Sequence, residues 1–258
     1  MKALLYALPG GMASRCRDFG LTPAHMCYRI APGPKLMGAG LTGSMRGGAM
    51  LVSCTGVPEG GSVQPCCRQI LAECRRRGFD RVICDFEGAP EGTAARLAAA
   101  LGEGCAGAGL PLCLPEAFAH LASGCRVLVS SRVLSGTLSR TLSAAAQRYG
   151  RERVVLAVDA GAEDFPLPAA GPGTPLEPDA LRQLMARLEP AVFFDRGLCA
   201  HYFTYMTRPG GAHFVLFDTP RSVRAKLDAA QSAGIGAALL AAPQAEGWLD
   251  ELFGGDPS

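Results

Sequence analysis

Short apolar runs rich in β-branched residues recur along the chain, with longer amphipathic stretches between them. Runs of four to eight such residues read as strands, and stretches with apolar positions three and four apart read as helices. By that pattern strands fall at residues 3–8, 26–30, 49–54, 81–87, 112–115, 126–130, 154–159 and 237–241. Helices fall at 63–77, 93–108, 117–123, 136–149, 178–188, 219–233 and 245–253. Gly78, Gly150 and Gly234 stand where three of these helices end, the position at which a residue without a Cβ most easily closes the last turn. Strands alternating with helices demand parallel pairing through crossover helices. Eight of them predict one α/β domain over residues 1–258, a (β/α)8 TIM barrel.

Two more strand-like runs, 191–195 and 213–218, flank the aromatic stretch His201-Tyr202-Phe203-Thr204-Tyr205. They predict a small β-hairpin insertion before the last helix and strand, with Gly210-Gly211 as its turn. Residues 166–178, rich in Pro, Gly and Ala, read as a loop. An open doubly wound sheet with a small C-terminal module would also alternate strands and helices. That alternative lacks a G-x-G-x-x-G after the first strand and a Walker A sequence.

Composition narrows the class. Of the 258 residues 48% are hydrophobic and 19% charged, which supplies a core and excludes a disordered chain. A net charge of +2 from 25 basic and 23 acidic residues, with Arg75-Arg76-Arg77 as the longest basic block, argues against nucleic acid as a partner. The N-terminal run Leu4-Leu5-Tyr6-Ala7-Leu8 stops at Pro9-Gly10-Gly11, short of a signal-peptide core, and no segment has the length of a membrane span. Eleven cysteines lie irregularly inside apolar runs, as free core thiols do. Cys66, Cys67 and Cys74 lack the paired spacing of a zinc site. The expectation is a cytoplasmic protein with no metal and no cofactor.

The segment richest in chemistry is Gly78-Phe79-Asp80-Arg81-Val82-Ile83-Cys84-Asp85-Phe86-Glu87-Gly88. Alternate residues of a strand share a face, so Ile83, Asp85 and Glu87 point one way, climbing from barrel interior to C-terminal rim. Barrel enzymes do their chemistry at that rim. Two carboxylates there repel each other, and the drier one holds its proton more tightly. The plainer alternative is that both simply end a strand and accept hydrogen bonds from the next loop.

Asp80 through Glu87 resembles the D-x-x-D-x-D-x-E signature of glycoside hydrolase family 18, the chitinase-type barrels. Asp80, Asp85 and Glu87 fill three of its four positions, and Ile83 occupies the other. The closing part of the chain, from Tyr202-Phe203-Thr204-Tyr205 through residues 213–218 and 221–227 to Gly234-Ile235-Gly236, is similar to that of the bacterial spore-type members. Residues 151–157 fall where the family's seventh strand begins.

The resemblance implies substrate-assisted hydrolysis beside an N-acetylhexosamine unit, an exception to the two-carboxylate pattern. Glu87 would be the acid and Asp85 the residue that orients the acetamide. Asp80, Ser53, Ser130, Asp159, Asp195 and Tyr202 are the candidate substrate-binding residues. The partner implied is carbohydrate containing N-acetylglucosamine, of chitin or peptidoglycan type, and the spore-type likeness adds a possible association with sporulation. The departures are specific. Ile83 replaces an aspartate; Val129-Ser130-Ser131-Arg132 stands where the family has Met-x-Tyr; Leu239-Leu240-Ala241-Ala242 lacks the family's last-strand indole, and the single Trp248 lies elsewhere. They point to the second expectation, a catalytically inactive barrel that binds glycan or a protein.

Overall fold

The computed structural model describes residues 3–8, 16, 18–40, 45–56, 60–133, 135–169, 171–208, 211–241 and 246–253. Eight strands close on themselves through parallel pairs: β1 (Ala3–Leu8), β2 (Thr22–Ala31), β4 (Ala49–Cys54), β5 (Arg81–Phe86), β6 (Leu112–Pro115), β7 (Arg126–Ser130), β8 (Val154–Val158) and β14 (Ala237–Ala241), the last returning to β1. A short strand β3 (Lys35–Gly38) adds antiparallel to β2. The helices α1 (Gln64–Arg77), α2 (Gly92–Gly107), α3 (Leu138–Tyr149) and α5 (Pro220–Ser232) lie in the crossovers. The predicted helix at 117–123 is instead a 3-10 turn, Glu116–Leu121. Of the predicted 245–253 helix, Ala245 lies outside the described residues, and a 3-10 turn at Glu246–Trp248 leads into α6 (Leu249–Phe253).

Strand periodicity divides the core in two. Ala24, Ala49, Leu51, Ile83, Cys113, Leu128, Val155 and Ala237 pack together inside the barrel. Their neighbours one residue along, such as Val82, Cys84 and Phe86 on β5, face the helices. Small residues recur inside because an eight-stranded barrel is only wide enough for side chains to fill. All eleven cysteines are unpaired and buried. Burial pushes their thiols up, Cys74 and Cys105 to about 12, because desolvation penalises the thiolate.

The insertion between β8 and α5 is larger than a hairpin. It is a five-stranded antiparallel sheet in the order β10 (Thr174–Pro175), β9 (Ala162–Pro166), β13 (Gly211–Phe217), β12 (Ala200–Thr207), β11 (Phe193–Asp195). β12 and β13 form the hairpin over the aromatic stretch; Gly210 of its expected turn lies outside the described residues. The loop expected at 166–178 contributes β10 and leads into α4 (Pro178–Leu188). Leu181, Leu184, Met185 and Leu188 of α4 cover one face of the sheet, against Phe203, Val215 and Phe217. On that face Tyr205 Oη donates to Asp164 Oδ2 (2.6 Å) and His213 Nδ1 lies 3.0 Å from Asp164 Oδ1.

Candidate active site at the barrel mouth

The rim is built by continuing the interior positions outward. Beyond Ile83 on β5 comes Asp85, in register with Ser53 on β4, which is in register with Arg29 on β2. Beyond Leu128 on β7 comes Ser130, paired with Ala157 on β8. Asp159 is the next interior-side position past β8. Glu87 lies just past the end of β5, yet its backbone N–H still donates to Cys54 O (3.5 Å). The ladder therefore carries the alternation one step further, and Glu87 stays on the side of Ile83 and Asp85. Gly88, at φ 82°, then turns the chain in a conformation that a side chain disfavours.

Asp85 and Glu87 are both exposed at this mouth. The Asp85 carboxyl is nonetheless held above its ordinary range, first because the surrounding barrel wall displaces much of its water, then because Glu87 and Asp159 repel its charge. An Asp whose folded pKa lies above its unfolded one penalises the fold where it is ionised, above the folded value, and the penalty vanishes below the unfolded value. Asp85→Asn is thus expected to melt higher than the native protein at pH 7, and this gain should fade as pH is lowered towards 3.8. Thermal unfolding at a series of pH values measures it; an equal or lower melting temperature at pH 7 would contradict it.

The structure brings Ser53, Asp85, Glu87, Ser130 and Asp159 to one rim and leaves three predicted residues elsewhere. Asp80 precedes β5, at the opposite end of the strand, where its side chain pairs with Arg81 (2.7 Å); reading an entire signature onto one strand spans both ends of the barrel. Asp195 ends β11 in the inserted sheet, where Oδ1 accepts from Leu198 N–H (2.8 Å) to close a turn. Tyr202 lies in the middle of that sheet, stacked between Phe193 (5.5 Å) and Phe214 (5.3 Å). This is the face away from α4, and Phe165 extends the row of rings.

A cavity of about 640 Å³ lies between the ends of β7 and β8 and the inserted sheet. Asp159 is the one candidate residue lining it. The other polar walls are Ser131, Arg132, Glu163, Asp218 and Lys226, and Phe165 and Leu216 supply apolar surface. Lys226 Nζ donates to Asp218 Oδ2 (2.7 Å) and Asp159 O (3.2 Å), and Ser222 Oγ donates to Asp218 Oδ1 (2.6 Å). Arg132 bridges Asp159 and Glu163, at 2.6 Å to each. Arg132, Asp218, Ser222 and Lys226 are not among the candidates that the sequence offers. Asp218, Ser222 and Lys226 recur every four residues at the start of a helix, a spacing that stacks them on one face; that signal was available. The Arg132–Glu163 pair, 31 residues apart, leaves no local trace.

No protein-family model matches the sequence, and no curated protein is similar to it. Solved structures are. A chitinase from Chromobacterium violaceum superimposes with a TM-score of 0.67 at 17% identity, over 93% of each chain. The spore cortex-lytic enzyme SleL of Bacillus megaterium gives 0.63 at 14% identity, over 93% of this chain and 70% of that one. A family 18 chitinase from Cycas revoluta, solved in complex with (GlcNAc)3, gives 0.58 at 15% identity, over 96% and 97%. The chain thus has the barrel fold of the chitinase-like glycoside hydrolases, in a divergent sequence. Among the described residues no helix is long and apolar enough to cross a membrane.

Proposed function

We propose that the chain is a single-domain glycoside hydrolase of family 18 type that acts on glycan containing N-acetylglucosamine, of chitin or peptidoglycan type. One observation carries the reading: Asp85 and Glu87 follow Ile83 on the interior side of one strand and open to solvent at the C-terminal mouth of a closed parallel barrel. In this reading Glu87 protonates the glycosidic oxygen as the bond to the anomeric carbon breaks, while the sugar's own acetamido oxygen attacks that carbon. Asp85 accepts from the acetamide N–H and offsets the positive charge that grows on the resulting ring. Its crowding by Glu87 and Asp159 suits this task, because a cationic group entering the mouth relieves the repulsion among the three carboxylates. Ser53 and Ser130 flank them as neutral hydrogen-bonding groups.

A specific feature favours the second reading, a barrel that binds glycan without cleaving it. The last strand brings Leu239 and Ala241 to the mouth, where an indole would otherwise floor a sugar ring. Incubating the native protein with chito-oligosaccharides and with isolated peptidoglycan separates the two. Release of reducing ends from either substrate is the expected result. Binding without release establishes the second reading, and neither binding nor release overturns both.

A further inference from the structure

Glu163 and Lys226 have no part in the roles given to Asp85 and Glu87, yet both line the cavity of about 640 Å³ between the barrel and the inserted sheet. A space of that size suits a small ligand. Its charged walls are three carboxylates, of Asp159, Glu163 and Asp218, against two cations, Arg132 and Lys226, which leaves one negative charge in excess. The ion pairs show where the excess falls. Asp218 is matched within the fold: Oδ2 accepts from Lys226 Nζ (2.7 Å) and Oδ1 from Ser222 Oγ (2.6 Å). Arg132 serves the other two at once, through Nε on Asp159 Oδ2 and Nη1 on Glu163 Oε1, each at 2.6 Å. Glu163 Oε1 therefore has half of one cation, and Oε2 has no partner among the described residues, although the side chain is only 15% exposed.

The place of Glu163 is fixed by its neighbours. On β9 it is in register with Leu216 of β13, and Gly173 lies so close that an added Cβ would fall 3.0 Å from Glu163 Cβ and 2.9 Å from the Phe165 ring. Phe165 and Leu216 share the sheet face of Glu163 and give the same wall apolar surface. Lys226 is 3% exposed. Its ammonium has three N–H donors and spends two, on Asp218 Oδ2 and on Asp159 O (3.2 Å), which leaves one for a further acceptor.

We propose that this cavity binds a de-N-acetylated hexosamine unit whose ammonium pairs with Glu163. The ammonium brings the positive charge that the walls lack and donates to Oε2; a ring hydroxyl accepts the remaining Lys226 N–H; the carbon face of the ring covers Phe165 and Leu216. An acetamide in that place brings no charge, and an acidic sugar adds a fourth carboxylate to the three already there. The proposal rests on the reading of the chain as a hexosamine-glycan protein and narrows it, to glycan in which some units carry a free amine.

The test is titration of the full chain with the glucosamine trimer and, separately, with tri-N-acetylchitotriose, read by calorimetry and by side-chain carboxyl NMR. The amine trimer should shift the Glu163 resonance saturably, bind more weakly as ionic strength rises, and lose at least about tenfold in affinity in Glu163→Gln. Affinity for the N-acetylated trimer should change little in that variant. Arg132→Gln doubles the excess negative charge and should tighten the amine trimer, so the two variants move in opposite directions, which loss of packing does not produce. A Glu163 resonance that stays still, or amine-trimer affinity untouched in Glu163→Gln, overturns the proposal. Should Glu163→Gln fail to fold, the resonance and Arg132→Gln decide, and unchanged or weaker binding in Arg132→Gln overturns it. Nα-acetyl-lysine amide offers an amine without a sugar ring; if it binds as tightly as the trimer and depends equally on Glu163, the assignment to a sugar is overturned. The two readings fail separately. A Glu163 response to the amine trimer with no Asp85 response to the N-acetylated one removes the glycosidase reading alone, and the reverse removes this proposal alone.

Discussion

Ile83→Asp, which restores the acidic residue that the signature has at this position, is expected to destabilise the protein by at least about 3 kcal/mol rather than improve it. Ile83 is fully buried and packs inside the barrel with Ala49, Leu51, Cys113, Leu128 and Val155. Truncating a buried isoleucine costs about 2–5 kcal/mol through lost contacts and the space left behind. The new carboxyl adds the penalty of a polar group without a hydrogen-bonding partner among those neighbours, about 1–3 kcal/mol or more. Since ΔG of unfolding for a domain is about 5–15 kcal/mol, the variant should be partly unfolded at pH 7. Its introduced carboxyl would have a folded pKa above its unfolded one, so stability should recover in part as pH falls through the folded value. Urea unfolding at pH 7 and pH 4 measures this. A loss below about 1 kcal/mol would mean that a polar partner or water reaches position 83.

Position 83 also shows where sequence reading succeeds and where it stops. The two-residue period of β5 was legible, because apolar and acidic residues on a strand separate by parity alone; it placed Ile83, Asp85 and Glu87 on one side. The barrel was legible for the same reason, as buried parallel strands are short apolar runs flanked by helices. β9 was not. Its sequence, Ala162–Pro166, mixes Glu163 and Asp164 with Phe165, and acids on both faces hide the alternation; only pairing with β13 and packing against α4 make it a strand. Asp80 misled because a linear signature says nothing of strand length: a residue five positions before Asp85 is carried about 17 Å down the barrel at 3.3 Å per residue. Arg132 and Lys226 reach the mouth through contacts across 31 and 67 residues, and such pairs are set by tertiary packing.

The second large effect is expected at Glu87. Glu87→Gln keeps the size and polarity of the side chain and removes the acidic proton, so its effect isolates proton donation. Loss of a positioned general acid lowers turnover by about 10²–10⁴-fold. The loss should fall on kcat with KM little changed, since an amide can still hydrogen-bond the leaving oxygen in the ground state. The exposure of Glu87 predicts little change in melting temperature, which separates a chemical defect from a folding one. Reducing-end assays on chito-oligosaccharides and peptidoglycan provide the comparison, and equal rates for native protein and variant would remove Glu87 from the chemistry.

The claim beneath all of this is that a glycan bearing N-acetylglucosamine sits over the carboxylates at positions 85 and 87. Side-chain carboxyl NMR of Glu87→Gln, recorded while tri-N-acetylchitotriose is added, tests it without requiring hydrolysis. A saturable shift of the Asp85 resonance is expected, with a smaller one at Asp159 and none at Asp80. A spectrum in which Asp85 stays still while the ligand binds elsewhere, or in which no resonance moves at millimolar ligand, would contradict it.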